Sequence, residues 1–155
     1  MTQRNRIIRL AVPADAEAVA ELERECFSSP WSEREILSTM SQDNAVFIVC
    51  TDRNSVCGYL GAYFAADEGY ITNIAVTEDF RRCGIASALI ERLKDEGKKL
   101  GLDFWTLEVR KSNLGARALY ENVGFETVGI RPRFYSKPTE DAVLMTYSYR
   151  KERKN

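Results

Sequence analysis

A basic, glycine-containing turn is the part of this sequence whose residue types and spacing best suit chemistry. The turn is Arg81-Arg82-Cys83-Gly84-Ile85-Ala86; an apolar, β-branched run over 70–76 precedes it and an amphipathic run follows it. The first backbone N–H groups of a helix have no partner inside the helix, and the helix dipole adds partial positive charge there. Gly84 lets a ligand approach the backbone, and the two arginines add full charges. The pattern predicts an anion site suited to a phosphate-bearing cofactor, with a solvated turn as the alternative.

Proton transfer in this chain has to proceed without histidine, because none of the 155 residues is one. This excludes nucleophilic systems of the Ser-His-Asp and Cys-His types. It also removes the commonest ligand of transition metals, so no metal is predicted. Carboxylates, tyrosine, lysine, cysteine or water must therefore carry any acid–base step.

The composition is that of an ordinary globular chain. Its net charge is -1 and its isoelectric point is about 5.7, so no global field attracts nucleic acid and no nucleic-acid partner is expected. The apolar runs are too short to span a bilayer, so no membrane partner is expected either. The cysteines lack Cys-x-x-Cys spacing, which favours reduced, buried thiols and a cytoplasmic location; they are Cys26, Cys50, Cys57 and Cys83.

Hydrophobic periodicity and turn signals predict the elements that position the basic turn. Strands are predicted over 6–12, 45–51, 56–64, 70–77, 103–110, 125–130 and 141–149, and helices over 13–26, 32–40, 84–100 and 113–122. Ser32-x-x-Glu35 is a capping-box pattern, and Gly101 and Gly124 are expected helix stops. The order predicts an α/β (α+β) fold with a mixed central sheet of about seven strands flanked by about four helices. We expect one domain over 1–149 and a charged, mobile tail over 150–155.

The basic turn matches one class of phosphate-binding loop better than two others. The chain has no Gly-x-x-x-x-Gly-Lys-Ser/Thr string, and the turn lacks the three spaced glycines of a dinucleotide site. Arg81-Arg82-Cys83-Gly84-Ile85-Ala86 resembles the Arg/Gln-x-x-Gly-x-Gly/Ala loop of the GNAT family of N-acetyltransferases, which holds the pyrophosphate of acetyl-CoA on backbone amides. Ala86 stands where that family often has a second glycine.

Two further segments resemble the same family. Ala118-Leu119-Tyr120-Glu121-Asn122-Val123-Gly124-Phe125 is similar to its second cofactor segment, Leu-Tyr-x-x-x-Gly-Phe. Asn73-Ile74-Ala75-Val76 is similar to the strand whose splayed backbone pairs with the pantetheine arm of the cofactor. The resemblance extends over about residues 6–149, and it implies the GNAT fold with acetyl-CoA as cosubstrate.

Within the family, the chain is similar to bacterial enzymes that acetylate the N-terminal alanine of a ribosomal protein. The residues that carry this likeness are Pro30-Trp31-Ser32-Glu33, Leu107-Glu108-Val109-Arg110 with Ser112-Asn113, and Arg133-Phe134-Tyr135 followed by Glu140-Asp141-Ala142. The likeness implies that Glu108 is the general base and Tyr120 the general acid. It implies cofactor contacts at Ile74, Ala75, Val76, Arg81, Arg82, Cys83, Gly84, Ile85, Ala86 and Asn113. Trp31 and Tyr135 are the candidate acceptor contacts, and Pro132 departs from the pattern in the expected last loop.

Each of these roles has a purely structural alternative. Glu108 could be an exposed strand residue or the ion-pair partner of Arg110 or Arg117. Tyr120 could be a core aromatic, and Asn113 could be only a helix cap. The remaining alternatives are side-chain packing for Trp31 and Tyr135 and an inert thiol for Cys83.

The chemistry itself favours an α-amine as acceptor. Acetyl transfer from a thioester to an amine needs a neutral amine, a polarised carbonyl and a proton for the leaving thiolate. An α-amine of pKa about 7.7–8.0 is about one-tenth neutral at pH 7, whereas a lysine amine is neutral to roughly a few parts in ten thousand. We therefore expect direct, acetyl-CoA-dependent acetylation of a protein N-terminus, for which the resemblance implies a ribosomal protein. A small-molecule amine acetyltransferase and a non-catalytic acetyl-CoA-binding regulatory module remain the alternatives.

Overall fold

The computed structural model describes residues 5–150, in which a seven-stranded sheet is combined with four α-helices. The strands are β1 (Arg6–Leu10), β2 (Ala45–Asp52), β3 (Ser55–Ala65), β4 (Glu68–Val76), β5 (Phe104–Arg110), β6 (Glu126–Tyr135) and β7 (Glu140–Ser148). The helices are α1 (Ala16–Cys26), α2 (Glu33–Met40), α3 (Ile85–Leu100) and α4 (Leu114–Asn122). Short 3-10 turns over Pro13–Asp15 and Glu78–Phe80 precede α1 and the basic turn.

The sheet is mixed, with the strand order β1-β2-β3-β4-β5-β7-β6. β4 and β5 are parallel over Glu68–Tyr70 and Phe104–Thr106, whereas β1 with β2, β2 with β3, β5 with β7 and β6 with β7 are antiparallel. The predicted fold class is confirmed, and so is the order of its elements. The described residues form two compact units, 5–64 with 71–96 and 65–70 with 97–150, and the single domain over 1–149 stays a prediction.

In the first unit, helices pack on both faces of the strands. Helices α1 and α2 cover one face, where Val19 and Ile36 join a core with Phe47 and Tyr59. Successive side chains of a strand point to opposite faces, so Gly58 lies on the other face from Tyr59. A Cβ on Gly58 would come within 2.9 Å of the Ile85 side chain, which shows how closely the start of α3 approaches that face.

The second unit is built around Trp105 of β5, which is fully buried. The indole N–H of Trp105 donates to the Tyr149 hydroxyl at 3.0 Å. A Cβ on either Gly69 or Gly97 would lie 2.4 Å from the indole, so both positions require glycine for space. The same face of the paired strands β5 and β7 also buries Leu107, Val143 and Met145.

The end of the chain differs from the prediction at β6. This strand continues to Tyr135 rather than ending at residue 130, and Pro132 lies inside it rather than in a loop. Proline has no N–H to give to a ladder, but β6 is the edge strand of the sheet, where the loss costs little. A register irregularity between Arg131 and Tyr135 accommodates the proline.

Three further predictions from the sequence concern the thiols, the charged tail and helices that could cross a membrane. The four cysteines are free; Cys50 and Cys57 are buried as predicted, whereas Cys26 is half-buried and Cys83 is exposed. Arg150, the first residue of the predicted mobile tail, pairs with Asp103 at 3.2 Å, and 151–155 lie outside the described residues. Across residues 5–150, no helix is both long and apolar enough to cross a membrane.

Candidate active site

The basic turn after β4 has the backbone shape of an anion site. Arg82 and Gly84 have φ angles of 61° and 81°, in the left-handed region. The Gly84 carbonyl accepts from the Ala88 N–H at 3.0 Å, which is the first hydrogen bond of α3, so the N–H groups of residues 85–87 have no acceptor within the helix. Apart from Gly84 and its two neighbours in the chain, no heavy atom of the described residues lies within 4 Å of a Cβ built on Gly84. Open space at Gly84, next to N–H groups that have no acceptor within the helix, fits the expected diphosphate.

The two arginines of this turn differ in what they contact. The Arg81 guanidinium donates to the Val76 carbonyl at 3.1 Å, and one of its nitrogens lies 3.9 Å from the Glu25 carboxylate. Arg82 and Cys83 are exposed, and the Cys83 thiol lies 3.5 Å from the Arg81 carbonyl. Arg81 therefore fixes the end of β4 to the turn, and its charge is partly engaged before any ligand arrives.

The candidate cofactor strand is the last part of β4. Ala75 is buried in the core beneath α1 and α2, whereas Ile74 and Val76 are half-buried. The Thr77 N–H donates to the Cys57 carbonyl at 2.9 Å, which ties the strand end to β3. The candidate contacts at Ile74, Ala75 and Val76 and those of the basic turn thus belong to one continuous, well-anchored segment of the first unit.

Glu108 lies on the less buried face of β5. Leu107 and Val109 face the core, so alternation places Glu108 with Arg110 on the opposite face. The Glu108 side chain is 28% exposed, and its Oε1 lies 3.9 Å from Nε of Arg131 in β6. The ion pair seen for Glu108 among residues 5–150 is therefore with Arg131, and not with Arg110 or Arg117.

Tyr120 lies on α4 in a largely apolar setting. Asn113 caps this helix, since its side chain accepts from the Ala116 N–H at 3.1 Å. The Tyr120 ring packs against Phe125, with centroids 6.0 Å apart. Burial, and secondly the nearby Tyr135 hydroxyl, raise the pKa of Tyr120 to about 12, so the hydroxyl keeps its proton at neutral pH.

The Tyr135 hydroxyl interacts electrostatically with both Glu108 and Tyr120. Burial raises its pKa, and the Glu108 charge raises it further. The Arg110 guanidinium lies 4.5 Å from the Tyr135 ring centroid and donates to the carbonyls of Ser136 and Pro138 at 3.1 and 3.0 Å. The second unit thus brings together Glu108, Tyr120 and Tyr135, with Arg110 holding the adjoining turn.

Trp31 has a different setting, in the first unit. Its half-buried side chain packs against the core of α1 and α2, and its backbone N–H donates to Glu23 Oε1 at 3.0 Å. The predicted capping box follows directly: Ser32 accepts from the Glu35 N–H, and Glu35 accepts from the Ser32 N–H. Packing therefore accounts for most of the Trp31 ring in this structure.

A family model decides where the chain belongs: that of the acetyltransferase (GNAT) family matches residues 16–125. The chain belongs to the GNAT family. It is 36% identical over 135 residues to the ribosomal protein bS18-alanine N-acetyltransferase of Escherichia coli K12, covering 84% of this chain and 89% of that one. GNAT enzymes use acetyl-CoA, and this chain is an N-acetyltransferase.

Solved structures of GNAT proteins are similar over nearly the whole chain. The ribosomal-protein-S18-alanine N-acetyltransferase of Escherichia coli matches with a TM-score of 0.84 at 32% identity, over 92% of this chain and 93% of that one. Ard1 from Thermoplasma volcanium matches with a TM-score of 0.83 at 27% identity, over 93% and 97%. The GNAT fold that the sequence implied is thereby confirmed.

Sequence reasoning missed four charged residues around these segments: Glu23, Arg110, Arg131 and Glu140. Glu140 accepts from the Ser112 N–H at 2.6 Å and pairs with Arg110 at 3.2 Å; the Ser112 contact, and after it the Arg110 contact, lower the pKa of Glu140. Arg110 and Glu140 occur in motifs that carried the family likeness, which was a usable signal. Glu23 and Arg131 had no such signal, because their partners are distant in the sequence.

Proposed function

We propose that this GNAT enzyme transfers acetyl from acetyl-CoA directly to the N-terminal α-amine of a protein, with a ribosomal protein as acceptor. The observation that carries the proposal is that Glu108, a partly exposed carboxylate, and Tyr120, a buried hydroxyl, both interact electrostatically with Tyr135 in the second unit. The relatives named for acetylation of a ribosomal protein's alanine support this choice of acceptor.

The basic turn would hold the cosubstrate. Free N–H groups after Gly84 suit the diphosphate, and the exposed Arg82 adds charge. The backbone of Ile74–Val76 would pair with the pantetheine arm and polarise the thioester carbonyl. Asn113 would contribute a contact besides its observed role as the cap of α4. Bound acetyl-CoA supplies the activated acetyl group.

Glu108 would accept the proton of the attacking amine, directly or through one water. An α-amine is about one-tenth neutral at pH 7, so the base has only a modest task. No covalent enzyme intermediate is needed, and the exposed Cys83 has no part in the transfer.

Tyr120 would stabilise the leaving sulfur. Its pKa of about 12 keeps the hydroxyl protonated, so it is available to donate a hydrogen bond to the sulfur, and it makes Tyr120 a weaker acid than an ordinary tyrosine. Water-poor surroundings would also raise the pKa of the leaving thiol, which favours protonation of its sulfur. This environment favours a hydrogen bond from the Tyr120 hydroxyl to the sulfur. The proton would pass to the sulfur as the thiolate leaves.

Intact-mass analysis of peptides incubated with enzyme and acetyl-CoA tests the proposal. Peptides beginning with Ala or Ser, including the N-terminus of ribosomal protein bS18, should each gain one acetyl group. The matched control is the same peptide with a blocked α-amine and a free lysine, which should gain none. Acetylation of a polyamine or free amino acid but of no peptide would overturn the proposed acceptor.

Variants test the two catalytic roles. Glu108→Gln and Tyr120→Phe should each lower kcat while acetyl-CoA still binds, as measured by calorimetry. If the wild type binds acetyl-CoA and both variants match its turnover, the assigned roles are wrong.

A further inference from the structure

One buried carboxylate in the first unit has no part in the chemistry described so far. Glu23 lies in the last turn of α1, and only 1% of it is exposed. Its Oε1 accepts from the Trp31 N–H at 3.0 Å, and its Oε2 accepts from the Asn73 side-chain amide at 2.8 Å. The Tyr59 hydroxyl donates to the same Oε2, and the Asn73 amide also lies 3.1 Å from that hydroxyl.

The setting of Glu23 is unfavourable for a carboxylate in two ways. A buried ionised group loses its hydration, and apolar residues of similar volume are often as stable or more so. The last turn of a helix is also the negative end of its dipole, which disfavours a negative side chain. Stability alone therefore does not explain a carboxylate here; what the carboxylate does supply is a common acceptor for donors from three other segments.

The donors to Glu23 come from segments that matter to the reaction. Asn73 directly precedes Ile74–Val76, the proposed cofactor strand. Trp31 belongs to the segment that leads into α2, where the family likeness suggested an acceptor contact. Tyr59 lies on β3; burial, and then its hydrogen bond to Glu23, raise the pKa of its hydroxyl, so it remains a donor.

We propose that Glu23 is a positioning residue that sets the cofactor strand, through Asn73, against the acceptor-side segment, through the Trp31 N–H. The inference rests on the proposed function, because it assigns those two segments their roles. Glu23 itself is too buried to touch a substrate. It acts by keeping the Ile74–Val76 backbone in the orientation that acetyl-CoA needs, where a shift of about 1 Å is enough to cost up to a hundredfold in rate.

Two variants separate positioning from simple stabilisation. Asn73→Ala and Tyr59→Phe each remove one donor to the same oxygen of Glu23, so both should lower the thermal midpoint by similar amounts. Asn73→Ala cuts the connection to β4, so it should weaken acetyl-CoA binding and lower kcat by about tenfold to a hundredfold. Tyr59→Phe leaves both connections in place and should keep both quantities within about twofold of wild type.

A conservative substitution provides the rescue. In Glu23→Gln the amide oxygen still accepts from the Trp31 N–H, and its NH₂ can donate to Asn73 once that side-chain amide turns over. Glu23→Gln should therefore retain most of the acetyl-CoA affinity that Glu23→Ala loses, when both are measured by calorimetry on folded protein.

The outcomes distinguish this inference from the proposed function. If Asn73→Ala and Tyr59→Phe alter acetyl-CoA binding and kcat alike, in proportion to lost stability, Glu23 is only structural and the inference is overturned. If the wild type acetylates no α-amine but Asn73→Ala still weakens acetyl-CoA binding where Tyr59→Phe does not, positioning of the cofactor strand is supported and the proposed acceptor is wrong.

Discussion

Two glutamates, one in each unit, show how differently the same side chain is used. Glu23 is buried and accepts hydrogen bonds from three segments. Glu108 is 28% exposed and faces one cation at 3.9 Å. A side chain held by three donors ties the segments that carry those donors together, whereas a side chain with one distant ionic partner keeps an accessible face for a substrate group. The first arrangement suits the positioning of backbone and the second suits proton transfer.

The largest expected effect comes from removing the buried carboxylate. Glu23→Ala would leave the Tyr59, Asn73 and Trp31 donors unsatisfied in the core and should lower the free energy of unfolding by about 3–5 kcal/mol. Glu108→Ala removes a partly exposed pair and should cost less than about 1 kcal/mol. Urea denaturation of both variants measures the difference. Equal losses would contradict the distinction between the two glutamates.

Glu108 should matter for catalysis and not for stability. Glu108→Gln keeps the shape of the side chain but cannot accept the amine proton, so kcat/KM for an α-amine peptide should fall by about a hundredfold. Its unfolding curve should overlay that of the wild type, which separates loss of chemistry from loss of fold. The comparison fails if the reduced rate is accompanied by a comparable loss of stability, or if the rate is unchanged.

The two glutamates also show which features can be predicted from the sequence and which cannot. The capping box at Ser32 and Glu35 and the helix stops at Gly101 and Gly124 are local, and all were confirmed; both glycines have positive φ. Glu23 bonds residues 36 and 50 positions away, and no local pattern connects them. For Glu108, the sequence suggested nearby arginines, whereas the sheet register supplies Arg131.

Burial was also hard to predict at the ends of helices. Leu114 and Leu100 fit the apolar stripes of their helices, yet they are 68% and 46% exposed because each lies in a terminal turn beyond the packed region. Arg81 likewise had the right type for a phosphate site, but its contact with the Val76 carbonyl depends on the fold of the turn. Periodicity indicates which face is apolar, whereas tertiary packing decides how much of it is covered.

Alkaline unfolding should reveal the raised pKa of Tyr120. Burial raises the pKa of Tyr120 to about 12 in the folded chain, against about 10 when unfolded. Between those values the folded state holds a proton that the unfolded state has lost, so the free energy of unfolding falls as pH rises and is unaffected below about pH 10. Tyr120→Phe should make this fall shallower in urea titrations at several pH values. Parallel curves for wild type and variant would show that Tyr120 titrates alike in both states.

The smallest expected effect concerns the cation beside Glu108. Arg131→Gln removes the positive charge that competes with the substrate ammonium, so KM for an α-amine peptide should fall by a few-fold. The Arg131 charge also lowers the pKa of a nearby amine and so favours its neutral form. Without that charge, the acidic limb of the kcat–pH profile should move up by a few tenths of a pH unit. Both changes should shrink at high salt, because Arg131 is 56% exposed and its charge is readily screened.

Arg133→Gln is the matched control, since it removes an equal charge two residues along the same strand, where the Arg133 backbone N–H bonds Asp141. Only Arg131 pairs with Glu108 among the interactions observed for these two side chains, so the control should leave KM and the acidic limb near their wild-type values. Equal shifts in both variants would mean that the net charge of the hairpin, and not the pair with Glu108, sets the state of the amine. A shift confined to Arg131→Gln would show that one neighbouring charge tunes the site at Glu108. Glu23, which accepts from three donors, has no such single partner.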